Sequence, residues 1–326
     1  MPRTALITGI AGQDGSLLAE LLLERGDRVV GIDRRGIARE SHALEPIRSR
    51  IELVDVDLCD PAAVKTTVES YRPSVIYHLA SMSFIPDSWL HPVPVAQFGP
   101  VSTASILDAI LATDRSIRFF HASSADMFGH SLDSPQCETT PIAPVTPYGA
   151  AKAFGHFLTG MYRDRFDLHA SSGILFNHES SRRPLTFVTR KITHAAASIS
   201  LGLGSQLQLG NLDAERDWSY AGDFVHAMTL IVDAAESDDY VLASGMTHTV
   251  RNVAEIAFDE VQLDWKDYVC VDETLARQNE VLRICGDPTR AETQLGWRRQ
   301  VGFEDMIRQM VRADIALLDN ASKPKS

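Results

Sequence analysis

The sequence predicts an α/β fold: a doubly wound parallel sheet with a smaller C-terminal α/β portion. Three observations predict it. A glycine triplet, Gly9, Gly12 and Gly15, separates a short apolar run at 5–7 from an apolar-periodic run at 17–23. Strand-like and helix-like stretches then alternate through the first half of the 326 residues. An acidic residue, Asp33, closes the second strand-like run, 28–33. Together they describe strand, glycine turn, helix and second strand, the opening unit of a Rossmann-type sheet.

The first two glycines permit a tight turn and let backbone approach a pyrophosphate. The third lets the helix lie close to the strand. The helix N-terminus adds unpaired N–H groups and the positive end of a dipole. Gln13 and Asp14 lie inside this turn. At the second strand end, a carboxylate such as Asp33 suits the ribose hydroxyls of NAD. Arginines such as Arg34 and Arg35 suit the 2′-phosphate of NADP. Both readings stay open on these residues.

Residues 51–58 alternate as a third strand. Asp57 at its end either reaches an adenine amino group or closes a turn, and Leu58 follows it. A helix is expected over 61–71, with Pro61 in its first turn. The run 75–80 reads as a buried strand ending in Leu79 and Ala80, whose small size leaves room for a cofactor where such sheets bind ligands. His78 inside it reads as a packed histidine. A helix over 101–111 and a strand over 117–122 follow, leading into Ser123-Ser124-Ala125-Asp126.

From about residue 175 the order loosens, with longer loops and short strands such as 206–209 and 240–243. We expect residues 1–175 to bind the cofactor and 176–326 mostly to bind substrate, interleaved with segments returning to the sheet. The end, 320–326, reads as a frayed tail.

Bulk properties narrow the function. Hydrophobic residues make up 44% of the chain, as in ordinary globular proteins. The net charge of -12 argues against general nucleic-acid binding. Cys59, Cys137, Cys270 and Cys285 are scattered, so no metal site or disulfide framework is expected. A cytoplasmic setting fits that cysteine usage. No stretch reads as a membrane span, and the N-terminus runs directly into the glycine turn.

Tyr148 and Lys152 stand four apart, on one face of an expected helix that opens near Pro147. A free tyrosine has a pKa of about 10. A neighbouring ammonium and a positive nicotinamide ring favour the phenolate. Such a phenolate can take the proton of a sugar hydroxyl as hydride leaves the same carbon. Ser124 would hydrogen-bond that hydroxyl.

This combination resembles the extended short-chain dehydrogenase/reductases, and more closely the GDP-mannose 4,6-dehydratase family. The likeness is carried by residues 9–15, Thr146 to Lys152, Gly173 to Ser180 with its Asn177-His178-Glu179-Ser180 run, Phe187 to Lys191, and Leu209 to Trp218. It implies bound NADP (or NAD, given Asp33), a GDP-sugar substrate and a homodimer or homotetramer. It implies catalytic roles for Ser124, Asp126, Tyr148 and Lys152, and cofactor contacts from His178 and Arg183. Ser83, Asn177, Val188, Lys191, Gly210, Arg216, Arg277 and Glu280 fall where the family holds the nucleotide-sugar. Arg216 also suits a pyrophosphate on chemical grounds, since a guanidinium grips two oxygens at once.

The chain departs from the family at the chemistry. The usual Ser-Thr-Ser-Glu is here Ser123-Ser124-Ala125-Asp126, so the acid–base carboxylate is one methylene shorter. Met82 stands for a usual glutamine, and Gln278-Asn279 interrupts a usual Arg-Pro-x-Glu. Two further readings follow: a 4-keto-sugar reductase or epimerase of the same superfamily, and a nucleotide-binding homologue with weak turnover.

Overall fold

The computed structural model describes residues 3–33, 36–131, 133–275 and 283–322. The strands are β1 Thr4–Thr8, β2 Arg28–Asp33, β3 Glu52–Asp55, β4 Val75–His78, β5 Arg118–Ser124, β6 Ala170–Leu175 and β7 Asn177–Glu179. They continue as β8 Leu207–Leu209, β9 Glu215–Arg216, β10 Trp218–Tyr220, β11 Asp239–Leu242, β12 His248–Thr249, β13 Val269–Val271 and β14 Arg283–Ile284. The α-helices are α1 Gln13–Glu24, α2 Ile37–Glu40, α3 Pro61–Tyr71, α4 Ile85–Leu90, α5 Pro92–Thr113 and α6 Pro147–Phe166. Then come α7 Val188–Ser200, α8 Ala221–Asp233, α9 Val250–Glu260, α10 Thr289–Gln294 and α11 Phe303–Ser322.

Seven strands form one parallel sheet in the order β11-β6-β5-β4-β1-β2-β3. The winding direction reverses between β1 and β4, which opens a crevice at their carboxyl ends. One face of the sheet packs on Leu18 and Leu22 of α1 and on Phe224, Met228 and Ile231 of α8. The other packs on Val64 and Val68 of α3 and on Ile106, Leu107 and Ile110 of α5. Local chemistry fixes the helix starts. Asp60 caps α3 by accepting from the amides of Ala62 and Ala63 at 3.0 and 3.2 Å, with Pro61 in the first turn. Thr146 caps α6 by accepting from Gly149 N at 2.9 Å, with Pro147 beside it.

A second core joins α7, α9 and α11 through Ile192, Ala196, Val253, Ala257, Ile307 and Met310, closed by Trp218. Short pairings flank it: β7 with β10, β8 with β13, and β9 with β12 and β14.

Three sequence expectations need correction. The 240–243 run belongs to the main sheet: β11 pairs in parallel with β6, and Tyr240, Val241 and Leu242 are buried there. The third strand stops at Asp55, because the following residues turn: Asp57 accepts from Cys59 N at 2.9 Å. The helix expected at 101–111 runs from Pro92 to Thr113, since Pro92 can begin a helix. At 22 residues α5 is long and apolar enough, by length and composition, to cross a membrane, which the sequence reading did not anticipate. Here its apolar side lies on the sheet.

Candidate active site

A cleft of about 1300 Å³ opens at the carboxyl ends of the sheet strands. Its floor is the glycine turn. Gly9 has φ of +71°, and a Cβ there would stand 2.9 Å from the Ala80 backbone. A Cβ on Gly15 would stand 2.3 Å from the Gly9 carbonyl. Both positions therefore require glycine. The Asp33 carboxylate accepts from Ala11 N at 3.2 Å, which ties the end of β2 to this turn.

Two motifs that are far apart in sequence meet here. Gln13 donates to the His178 carbonyl at 3.0 Å and accepts from Ser180 Oγ at 2.9 Å. Asp14 pairs with His178 Nε2 at 2.8 Å. Burial opposes the charge on both groups, yet their mutual attraction prevails. The Asp14 carboxyl is held below its ordinary range and the His178 imidazole above its own. The His178 ring also stacks on Phe224, with centroids 4.6 Å apart.

Ser124, Asp126, Tyr148 and Lys152 all line this cleft. Ser124 Oγ donates to Asp126 Oδ2 at 3.2 Å and accepts from Asp126 N at 3.2 Å. Lys152 Nζ lies 5.8 Å from the Tyr148 ring centroid and donates to the Ala122 carbonyl at 2.7 Å. Burial lowers the Lys152 ammonium to about 8, against the pull of Asp14 and Asp126. Burial and the Asp126 charge push the Tyr148 hydroxyl well above its ordinary value, while the neighbouring Ser124 side chain and Arg183 draw it back. In the protein alone burial outweighs the lowering from Ser124 and Arg183, and the Lys152 ammonium leans on Ala122.

Leu58, Leu79, Ala80, Ser83, Asn177, Val188, Lys191, Gly210, Arg216 and Arg183 also line the cleft. Lys191 Nζ donates to the Gln208 carbonyl at 2.7 Å, and Arg216 donates to the Glu215 carbonyl at 2.7 Å. Asp213 pairs with Arg251 at 2.8 Å, and Asp217 accepts from the amides of Ser244, Gly245 and Gly286 at 2.7, 2.9 and 3.3 Å. Asp57 is exposed and accepts from Cys59 N at 2.9 Å, and it lies between Val56 and Leu58, which line the cleft. Arg34, Arg35, Arg277 and Glu280 lie outside the described residues.

Sequence reasoning missed several lining residues. Glu179 is buried, accepts from Thr189 Oγ1 at 2.7 Å and sits 3.4 Å from Arg183 Nε. The Arg183 guanidinium lies 3.6 Å from the Phe187 ring centroid, and Phe187 meets Phe84 edge-on. The presence of Glu179 within the 177–180 run was a usable signal. The aromatic contact joins residues 84 and 187 across the cleft, and no local pattern announces it.

The family model described as GDP-mannose 4,6 dehydratase matches residues 6–310. GDP-mannose 4,6 dehydratase 1 of Arabidopsis thaliana is 40% identical over 327 residues, covering 97% of this chain and 90% of that protein. The Homo sapiens GDP-mannose 4,6 dehydratase is 38% identical, covering 96% and 92%. Among solved structures, RMD from Pseudomonas aeruginosa complexed with NADPH aligns with a TM-score of 0.83 at 20% identity, covering 97% of this chain and 99% of that one. DesIV, the dTDP-glucose 4,6-dehydratase of Streptomyces venezuelae, with NAD bound, aligns at 0.83 and 24%, covering 95% and 96%. The structural likenesses speak for the fold.

Proposed function

The chain belongs to the GDP-mannose 4,6-dehydratase family, and from that premise we propose that it converts GDP-mannose to GDP-4-keto-6-deoxy-mannose through a bound nicotinamide dinucleotide. The observation that carries this reading, beside the family match, is the convergence of Ser124, Asp126, Tyr148 and Lys152 on one cleft.

The cradle suits a dinucleotide. The glycine turn has no side chain in the way of a pyrophosphate, and the N-terminus of α1 faces it. A nicotinamide dinucleotide held by Gly9, Gly12 and Gly15 would supply the hydride chemistry between C4 and C6 of the sugar. Tyr148 accepts the O4 proton, with Ser124 holding that oxygen. A positive ring beside the buried Tyr148 would supply the lowering that Lys152 alone does not. Asp126 removes the C5 proton, acidified by the 4-keto group, and passes it to the departing C6 hydroxyl, which leaves as water. C5 regains a proton as C6 receives hydride, and the proton held by Tyr148 balances it.

We assign NADP as the cofactor, with Asp33 the residue that would favour NAD. Cofactor released from the purified protein and resolved by chromatography decides between them. We read residues 1–175, with α8 and β11 returning to the sheet, as the cofactor portion, and the rest of 176–326 as the sugar-nucleotide portion. There Val188 and Lys191, at the start of α7, and Arg216 would hold the diphosphate. We also assign a homo-oligomer. Phe154, Phe157 and Met161 of α6 are exposed large apolar side chains on adjacent turns, with Val101 of α5 also exposed. Phe157→Glu should halve the mass measured by light scattering.

The test is incubation with GDP-mannose, without added reductant, followed by NMR of the sugar. A 4-keto-6-deoxy product establishes the dehydratase. One observation favours a second reading: Asp126 is short and bonded to Ser124. If GDP-mannose is left intact and the 4-keto sugar is consumed with NADPH, the chain is a reductase.

A further inference from the structure

A second cavity, about 10 Å³, lies beside the catalytic wall, between β4, β5, α5 and α6. That is about the space one water molecule needs. Its lining includes His78, Thr103, His121, Tyr148, Ala151 and Lys152. The chain keeps this space by using small residues where the helices meet. A Cβ on Gly99 would stand 3.1 Å from the Ala151 Cβ, and one on Gly155 would stand 2.6 Å from His121 Nε2.

Two buried histidines face each other here, 5.7 Å between centroids, and they differ in one respect. His78 bonds Thr8 Oγ1 at 2.9 Å and Ser102 Oγ at 3.2 Å, so both its nitrogens are satisfied. His121 is 3% exposed, and neither of its ring nitrogens makes a hydrogen bond of good geometry, although the Lys152 backbone lies close enough to act on the ring. A buried polar atom left unpaired is costly, and buried water is the usual remedy. On the same cavity stands Lys152, whose ammonium has three donors. The Ala122 carbonyl takes one of them.

We propose that this cavity holds one ordered water that accepts a hydrogen bond from Lys152 and donates one to His121, making His121 a positioning residue for the catalytic ammonium. The acceptor must be a neutral imidazole. Burial, with Lys152, His78 and His156 around it, keeps His121 uncharged. Lys152 in turn is faced by Asp14 from α1, Asp126 after β5, Tyr148 from its own helix, and His78 and His121 from the strands. The bridged water adds a partner to the charged form of Lys152, opposing the burial that drags it down. It also fixes where the ammonium points relative to Tyr148. The inference deepens the dehydratase reading, and its first two readouts need no turnover.

The experiment is a crystal structure of the full chain at a resolution that reveals ordered water. A titration of Lys152 by NMR of ε-13C-labelled lysine goes with it, in wild type, His121→Leu and His121→Gln. We expect density for one water in the cavity. We expect a Lys152 midpoint that falls by about one pH unit in His121→Leu and returns in His121→Gln, whose side chain again supplies an acceptor. The alkaline limb of kcat should move with that midpoint while KM for GDP-mannose stays put. A cavity without density in the wild-type structure, or a midpoint unmoved by His121→Leu, overturns the proposal. Should His121→Leu fail to fold, the wild-type density and the His121→Gln titration still decide it. A wild type inert toward GDP-mannose that nonetheless shows the water and the shift would sink the dehydratase reading and leave this one standing.

Discussion

The two ends of the cleft are built on opposite principles. The glycine turn is local: its parts lie between β1 and α1, and it fails if an atom is added. The far end is assembled from distant segments, and it fails if an atom is removed. Asp217 makes the point. Its buried carboxylate collects the amides of Ser244, Gly245 and Gly286, joining three stretches of chain beside Arg216. Burial raises its pKa, and hydrogen bonds from Ser244, Gly245 and Gly286 draw it down. One end is specified by what it excludes, the other by what it satisfies.

The largest expected effect falls on the wall between these ends. Tyr148→Phe removes the group that takes the O4 proton and leaves both ends intact. Turnover of GDP-mannose should drop about 10³-fold or more. Calorimetric binding of GDP and the melting temperature should stay near wild type. Full turnover in this variant would move the chemistry elsewhere in the cleft.

The next pair of variants tests the contrast directly. Gly15→Ala should weaken cofactor binding on the order of 100-fold, because the added Cβ displaces the Gly9 backbone. Its effect on stability in the absence of cofactor should be the smaller one. Asp217→Ala should do the reverse. It strands three buried amides and should cost on the order of 3 kcal/mol by urea unfolding. The contrast breaks if both variants lose stability alike with cofactor affinity unchanged.

The same contrast explains what the sequence made legible. The parallel sheet, the glycine turn and the Pro147-Tyr148 helix start were readable because each rests on neighbouring residues with a local reason for their conformation. The 240–243 strand was misplaced because nothing in four residues says which sheet they join; the pairing partner, β6, ends more than sixty positions earlier. The bond between Gln13-Asp14 and His178–Ser180 was equally invisible. Both runs stood out in the sequence, but only tertiary structure brings them together. The electrostatics of Tyr148 were legible only in part. Its spacing from Lys152 shows in the sequence, whereas the burial that raises its hydroxyl in the protein alone does not.

Asp126→Glu sharpens the comparison at the sugar. The longer side chain should reach C5 without a backbone shift, since misplacement of about 1 Å can cost 10²-fold. Dehydration should be kept or raised, by up to about tenfold, in the NMR assay. A large loss would mean that the cleft is fitted to aspartate and that the methylene clashes.

On the alkaline side pH should act on the wall between the two ends. Lys152 is lowered to about 8 by burial, so its ammonium is present below that pH and lost above it. Turnover should therefore fall as pH rises through about 8, if the cofactor leaves Lys152 where the protein sets it. A rate rising across that window would mean that the neutral amine is the working form.

The smallest effect expected is at Thr146, which caps the helix carrying Tyr148 and Lys152. Thr146→Ala frees one amide and should cost about 1 kcal/mol, read by urea unfolding. Thr146 also lines the cleft, so the variant asks whether the cap does more than start a helix. If it only starts the helix, kcat will follow stability and KM for GDP-mannose will not move. A rise in KM at unchanged stability would make Thr146 a sugar contact, and the wall between the two ends would then include a residue that sequence reasoning took for a helix start.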